Sequence, residues 1–270
     1  MLTELLDRLP ALGGTGWALV VVAALIVGFS KSALPGAGTI AAALFALVLP
    51  AKESTAALLL LLILGDMLAL LMYRREVDVK ALVRLIPTVL LGVVAGAVFL
   101  RFAGGALVQG AIGVILLVLL GFTLAGRRRK RKEAEAGGSA GPEAAAGPGP
   151  GIGSRLAYGT LGGFTTMVAN AGGPVMSMYF FAMGMPAKTF LGTAAWFFAT
   201  VNILKIPFSA SLGLFQPAYL LMDLVLAPLV ILAALIGRRI VGRVPQRAFE
   251  IAVLTLTVVS ALGLIAGAVG

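Results

Sequence analysis

A run of about 20 apolar residues must satisfy its own backbone hydrogen bonds and face oil, and a membrane-spanning helix does both. This chain consists largely of such runs. Apolar segments fall near 15–33, 38–49, 54–73, 81–100, 106–125, 155–169, 174–185, 189–208, 217–237 and 247–268. Hydrophobic residues make up 60% of the chain, charged residues 12%, and mean hydropathy is +1.06. The expectation is an all-α polytopic membrane protein. Period-two alternation is absent, which argues against a barrel. Residues Met1 to Arg8 lack the basic start of a secretory signal, so the first run is expected to be retained.

The chain has no cysteine and no histidine. That argues against disulfides, zinc, haem, iron–sulfur clusters and a histidine-based triad, so no enzyme activity, metal or cofactor is expected. The net charge of +10 reads as membrane orientation rather than nucleic-acid binding. The expected partners are the lipid bilayer and a small ligand, and no signal for oligomeric state is present.

Arg127 to Lys132 form an unbroken basic run, followed by a Gly/Ala/Pro-rich stretch to Ser154. Residues 127–154 read as a cytoplasmic linker between two membrane repeats, 1–126 and 155–270. The repeats echo each other. Pro50-Ala51-Lys52 recurs as Pro186-Ala187-Lys188, and Gly28-Phe29-Ser30 as Gly163-Phe164-Thr165. The offset of the Pro50 and Pro186 pair lays Asp66 over Asn202, and Leu34 to Gly38 over Asn170 to Pro174. Lys and Arg crowd at 74–84, 127–155 and 238–247. With these loops in the cytoplasm, both termini lie outside and the two halves enter from opposite sides. They are inverted repeats, expected in a plasma membrane.

Each half is interrupted. In the second, Asn170, Gly172 and Gly173 loosen an apolar run, and Pro174 is expected to open a new helix that ends near Met185. A dozen residues cover about 18 Å, short of the ~30 Å hydrocarbon core. A helix starting at mid-depth points free N–H groups and a positive dipole end into the protein, which suits an anion.

Charges inside the apolar runs need an account, since each costs about 2.5–3.5 kcal/mol to insert. Asp66 lies near the midplane. It is read either as a partner for Lys31 or the broken loop, or as a proton or substrate-coupling site. Asn202 lies at the same depth, with Lys205 one turn later. Lys205 either snorkels outward beside Pro207 or supplies charge to an anion. Lys31 reaches the cytoplasmic interface if its segment traverses fully, and is buried beside the site if the chain turns midway. Trp196, Phe197 and Phe198 are read as packing, because nothing in the expected pocket asks for a cation. Asp223 is read as shallow and wet, without a role.

Gly28-Phe29-Ser30-Lys31 leading to Leu34-Pro35-Gly36 resembles the first-repeat signature of the TauE/SafE family of sulfite exporters. Asn170 to Ser177, Gly184-Met185-Pro186 and Asn202 to Pro207 resemble the second. The resemblance covers about residues 28–84 and 162–210. It departs from the family pattern at Ser32-Ala33, where a glycine-richer turn is expected, and in the long linker. It implies a permease exporting small sulfur-containing anions such as sulfite or organosulfonates, sulfoacetate among them. The expected site combines N–H groups around Pro35, Gly36, Gly38, Gly172, Gly173, Pro174 and Val175 with Lys31, Asn202, Lys205 and Asn170. Asp66 is the candidate for proton coupling in a secondary transporter working by alternating access. The rival reading is a membrane scaffold or assembly protein that transports nothing.

Overall fold

The computed structural model describes residues 9–33, 37–135, 151–183, 185, 187–240, 262 and 265–266. Among them the regular structure is helical: α1 (Gly13–Ala33), α2 (Gly38–Val48), α3 (Ala51–Tyr73), α4 (Val79–Phe102), α5 (Gly105–Glu135), α6 (Ile152–Ala169), α7 (Gly172–Ala182), α8 (Ala187–Ser211) and α9 (Pro217–Ile240). Five stretches are long and apolar enough to cross a bilayer: Gly13–Ser32, Ala51–Tyr73, Val79–Phe102, Thr189–Ser211 and Pro217–Arg239. This is a polytopic α-helical membrane protein. The expected run at 247–268 lies outside the described residues apart from 262, 265 and 266, as do Pro35, Gly36 and linker residues 136–150.

Both interruptions are present. Helix α1 is described to Ala33, Ala37 lies in a turn from which α2 starts at Gly38, and the chain breaks again between Ala169 and Gly172. The returning helices α2 and α7 have 11 residues each. Two expectations at the ends need correcting. Helix α7 opens at Gly172 rather than Pro174, which places the proline in the first turn, where its missing N–H costs no bond. Helix α5 runs on through the basic residues 127–132 to Glu135 instead of giving way to linker there. Arginine and lysine are good helix formers, so charge alone did not stop the helix.

The bundle is assembled by close helix pairs. Helix α1 lies along α9, with Gly28 against Val230 and Ala234 and Ser32 against Gly237. Helix α4 lies along α6, with Gly163 against Val89 and Val93 and Met167 against Gly96. Residue numbers rise together in both pairs, so each pair is parallel. At Gly28 and at Gly163 the facing carbonyl oxygen, of Val230 and Val89 respectively, leaves no room for a Cβ. Pro228 and Pro87 stand two residues before these carbonyls. Helices α3 and α8 pack on each other between the two pairs and carry the buried Asp66, Asn202 and Lys205.

The turn after α3 is pinned to α8. Asp78 caps α4 by accepting from the Ala81 N–H at 2.9 Å, and its own N–H donates to Thr193 Oγ1 at 2.9 Å. Tyr73 Oη donates to the Ser32 carbonyl at 2.9 Å, which ties the end of α3 to α1.

The α4–α6 contact should therefore be intolerant of a single methyl. Gly163→Ala is expected to cost about 1–3 kcal/mol, because a backbone carbonyl must move. Gly105→Ala, which meets nothing within 4 Å, should leave the thermal midpoint unchanged. Thermal unfolding in detergent compares the two.

Candidate functional site

The break between α6 and α7 is built around Asn170. It is the one non-glycine residue with positive φ among the described residues (φ 49°, ψ 28°). Asparagine tolerates this left-handed conformation better than most side chains. The turn lets the N–H groups of Asn170 and Ala171 close back on the carbonyls of Thr166 and Thr165, each at 3.1 Å, which caps α6. The Asn170 side chain then ties the break to two long helices. Its Nδ2 donates to the Thr55 carbonyl at 2.9 Å, and its Oδ1 accepts from Lys205 Nζ at 2.5 Å.

A second cluster forms where α3 meets α8. Asp66 Oδ1 pairs with Lys31 Nζ at 2.5 Å, and Asp66 Oδ2 accepts from Asn202 Nδ2 at 2.7 Å. The stem of Lys31 rests on Gly65, where a Cβ would come within 2.9 Å of Lys31 Cγ. Lys205 completes the network. It is 1% exposed, and besides Asn170 it reaches Asn202 Oδ1 at 3.4 Å and Thr166 Oγ1 at 3.5 Å. Three acceptors thus surround an ammonium with three N–H groups. The snorkelling reading of Lys205 is overturned: its helix presents it inward, and the amides of Asn170 and Asn202 give it better partners than an outward path through apolar side chains.

These groups border one cavity of about 50 Å3. Of the residues expected at the site, it brings together Lys31, Gly38, Asp66, Asn170, Gly173 and Asn202. Lys205 stands one layer behind. Gly172 packs on Thr166, Val175 is fully buried in the apolar core, and Pro174 does not reach the cavity. Helix α2 begins at the wall with Gly38 and Thr39, and its N-cap, Ala37, supplies no side-chain acceptor. Helix α7 reaches the same wall with Gly173 at its second position. Both short helices therefore bring their positive dipole ends to the cavity.

Ser30 and Thr165 donate to carbonyls of their own helices, as hydroxyls in membrane helices commonly do. Outside the expected set, the wall also includes Ser30, Thr166, Thr39, Leu62, Ala69, Leu191, Ala194, Ala195 and Phe198. Helical spacing held the signal for some of them. Leu62 and Ala69 stand four before and three after Asp66, and Leu191, Ala195 and Phe198 lead to Asn202 along one stripe of α8.

Two expectations fail here. Phe198 does meet a cation, and the protein supplies it: Lys31 Nζ lies 4.8 Å from the ring centroid. Asp223 is 4% exposed, with neither carboxyl oxygen hydrogen-bonded among the described residues. Its depth along α9 suggested a wet position, but its face of the helix is covered by the bundle.

The family described as Sulfite exporter TauE/SafE matches residues 20–264. The chain belongs to this family. The match spans nearly the whole membrane part, well beyond the two signatures. No curated protein and no solved structure matches it. A multi-pass membrane protein of a transporter family accords with a polar, charged cavity enclosed by apolar helices.

The Asn170 turn separates two contributions. Asn170→Gly keeps the left-handed backbone and loses the amide, whereas Asn170→Ala loses both. Both variants should be less stable than wild type in detergent, with alanine lower than glycine by about 1 kcal/mol. Equal stability of Asn170→Gly and wild type would show that the ties to Thr55 and Lys205 contribute nothing.

Proposed function

We propose that the protein is a secondary transporter that exports a small sulfur-containing oxyanion by alternating access between residues 1–126 and 155–270. The observation that carries this reading is the convergence of two interrupted helices and a buried Lys31–Asp66–Asn202 cluster on one small cavity. Two ammonium groups and one carboxylate leave a single positive charge in a low-dielectric setting, where a small anion is the natural complement. The volume favours a compact ion. That suits sulfite, a sulfur with three oxygens, better than sulfoacetate, which carries a second acidic group.

The packing supports inverted halves. The first helix of each half lies along the fourth helix of the other, in parallel, with a glycine against a carbonyl two residues past a proline. Asp66 and Asn202, paired by the sequence offset, touch each other at the centre. With the basic loops 74–84, 127–155 and 238–247 in the cytoplasm, export runs from the cytoplasmic side of a plasma membrane. Lys205 adds its charge from behind the cavity, and Asn202 orients the site through its amide.

Asp66 is the coupling group in this reading. The carboxylate occupies the ammonium an incoming anion needs. A proton on Asp66 releases Lys31 to the anion, so proton and oxyanion bind together. A scaffold that moves nothing has no use for buried charges facing a shared cavity, so the transporter reading stands ahead of it.

Proteoliposomes measuring sulfite flux test this. Lys31→Ala is expected to lower flux more than about tenfold, the equivalent of losing about 1.4 kcal/mol of binding. Asp66→Asn should still equilibrate sulfite but lose its response to an imposed proton gradient. Wild-type flux and proton response in both variants would remove the proposed site.

A further inference from the structure

The contact between Lys31 and Phe198 is not explained by packing. A lysine set in an apolar bundle ordinarily extends its stem toward water. Here the stem lies on Gly65, and the side chain is only 14% exposed. The ammonium stays inside, between the Asp66 carboxylate at 2.5 Å and the Phe198 ring at 4.8 Å. Both of those groups line the cavity.

The ring is itself held in place. Phe198 meets Phe197 edge-on at 5.1 Å, and Phe197 meets the fully buried Phe180 of α7 edge-on at 5.9 Å. The orientation of the ring toward Lys31 is thus set by the short helix that starts at the cavity wall. The two holders of the ammonium differ in chemistry. The carboxylate takes an N–H and opposes any incoming anion. An aromatic face attracts the charge through its quadrupole, takes no conventional hydrogen bond, and leaves N–H groups for a ligand.

We propose that Phe198 is the positioning residue of Lys31, a cation–π holder that keeps the ammonium in the cavity when an oxyanion takes the place of Asp66. This rests on the reading of the cavity as an anion site. The ring then sets affinity for the oxyanion through its hold on Lys31.

The test uses the full chain in proteoliposomes with sulfite as the probe. Phe198 is replaced by mono-, di- and trifluorinated phenylalanine, which withdraw electron density from the ring face at nearly constant shape. KM for sulfite is expected to rise stepwise, by about tenfold across the series, with the maximal rate largely kept. A purely structural ring would not follow that order. A flat series overturns the proposal, even if Phe198→Leu loses affinity through packing. Wild-type protein that moves no sulfite sinks the functional reading instead. The Lys31–Phe198 contact is then decided by NMR of 13C-lysine-labelled protein. A ring-current upfield shift of the Lys31 ε-methylene that is relieved in Phe198→Leu supports it, and no such shift in the wild type overturns it.

Discussion

Charge buried in hydrocarbon has to be answered by other charge or by hydrogen bonds, and this bundle is arranged around one such answer. Asp66 is fully enclosed and has both oxygens engaged, one by Lys31 and one by Asn202. Lys205 is almost equally enclosed and is surrounded by the oxygens of Asn170, Asn202 and Thr166. Removing a single partner would leave an uncompensated buried charge, at a cost of about 3–5 kcal/mol. The network therefore constrains the relative register of α1, α3, α6 and α8 more tightly than apolar packing, which tolerates sliding of one leucine past another.

The interruption at Asn170 serves this network directly. Asn170 caps α6, turns the chain through a left-handed residue and offers its amide to Thr55 and Lys205. One residue links a helix end, the opposite half of the bundle and the buried cation. The glycine contacts at Gly28 and Gly163 do related work at the periphery. They let α9 approach α1, and α4 approach α6, backbone to backbone, as small residues do where helices associate without a hydrophobic driving force.

Much of this was legible from particular residues. Spans such as 51–73 and 217–240 announce themselves because hydrocarbon tolerates little else. The breaks were visible in Asn170, Gly172 and Gly173, since those types destabilise a helix wherever it lies. The pairing of Asp66 with Lys31 was one of two readings of an intramembrane carboxylate, and the contact is present. Phe198 and Asp223 were misjudged for a common reason. In a helix apolar all round, depth can be counted along the axis, but the face each residue presents cannot be read from the pattern. Arg127 to Lys132 read as linker together with the Gly/Ala/Pro-rich stretch that follows, whose composition cannot build a core, yet helix α5 runs through them to Glu135.

The order of residues alone determined that the chain lives in a bilayer, that two of its helices are interrupted, and that a handful of charges sit where lipid would reject them. Those properties depend on composition and local backbone preference, which act over a few turns of helix. Tertiary structure decided which charges meet, that Lys205 lies behind the cavity wall, and that an aromatic ring shares Lys31 with a carboxylate. These outcomes depend on distances between helices far apart in sequence, and only the packing of the whole bundle sets them.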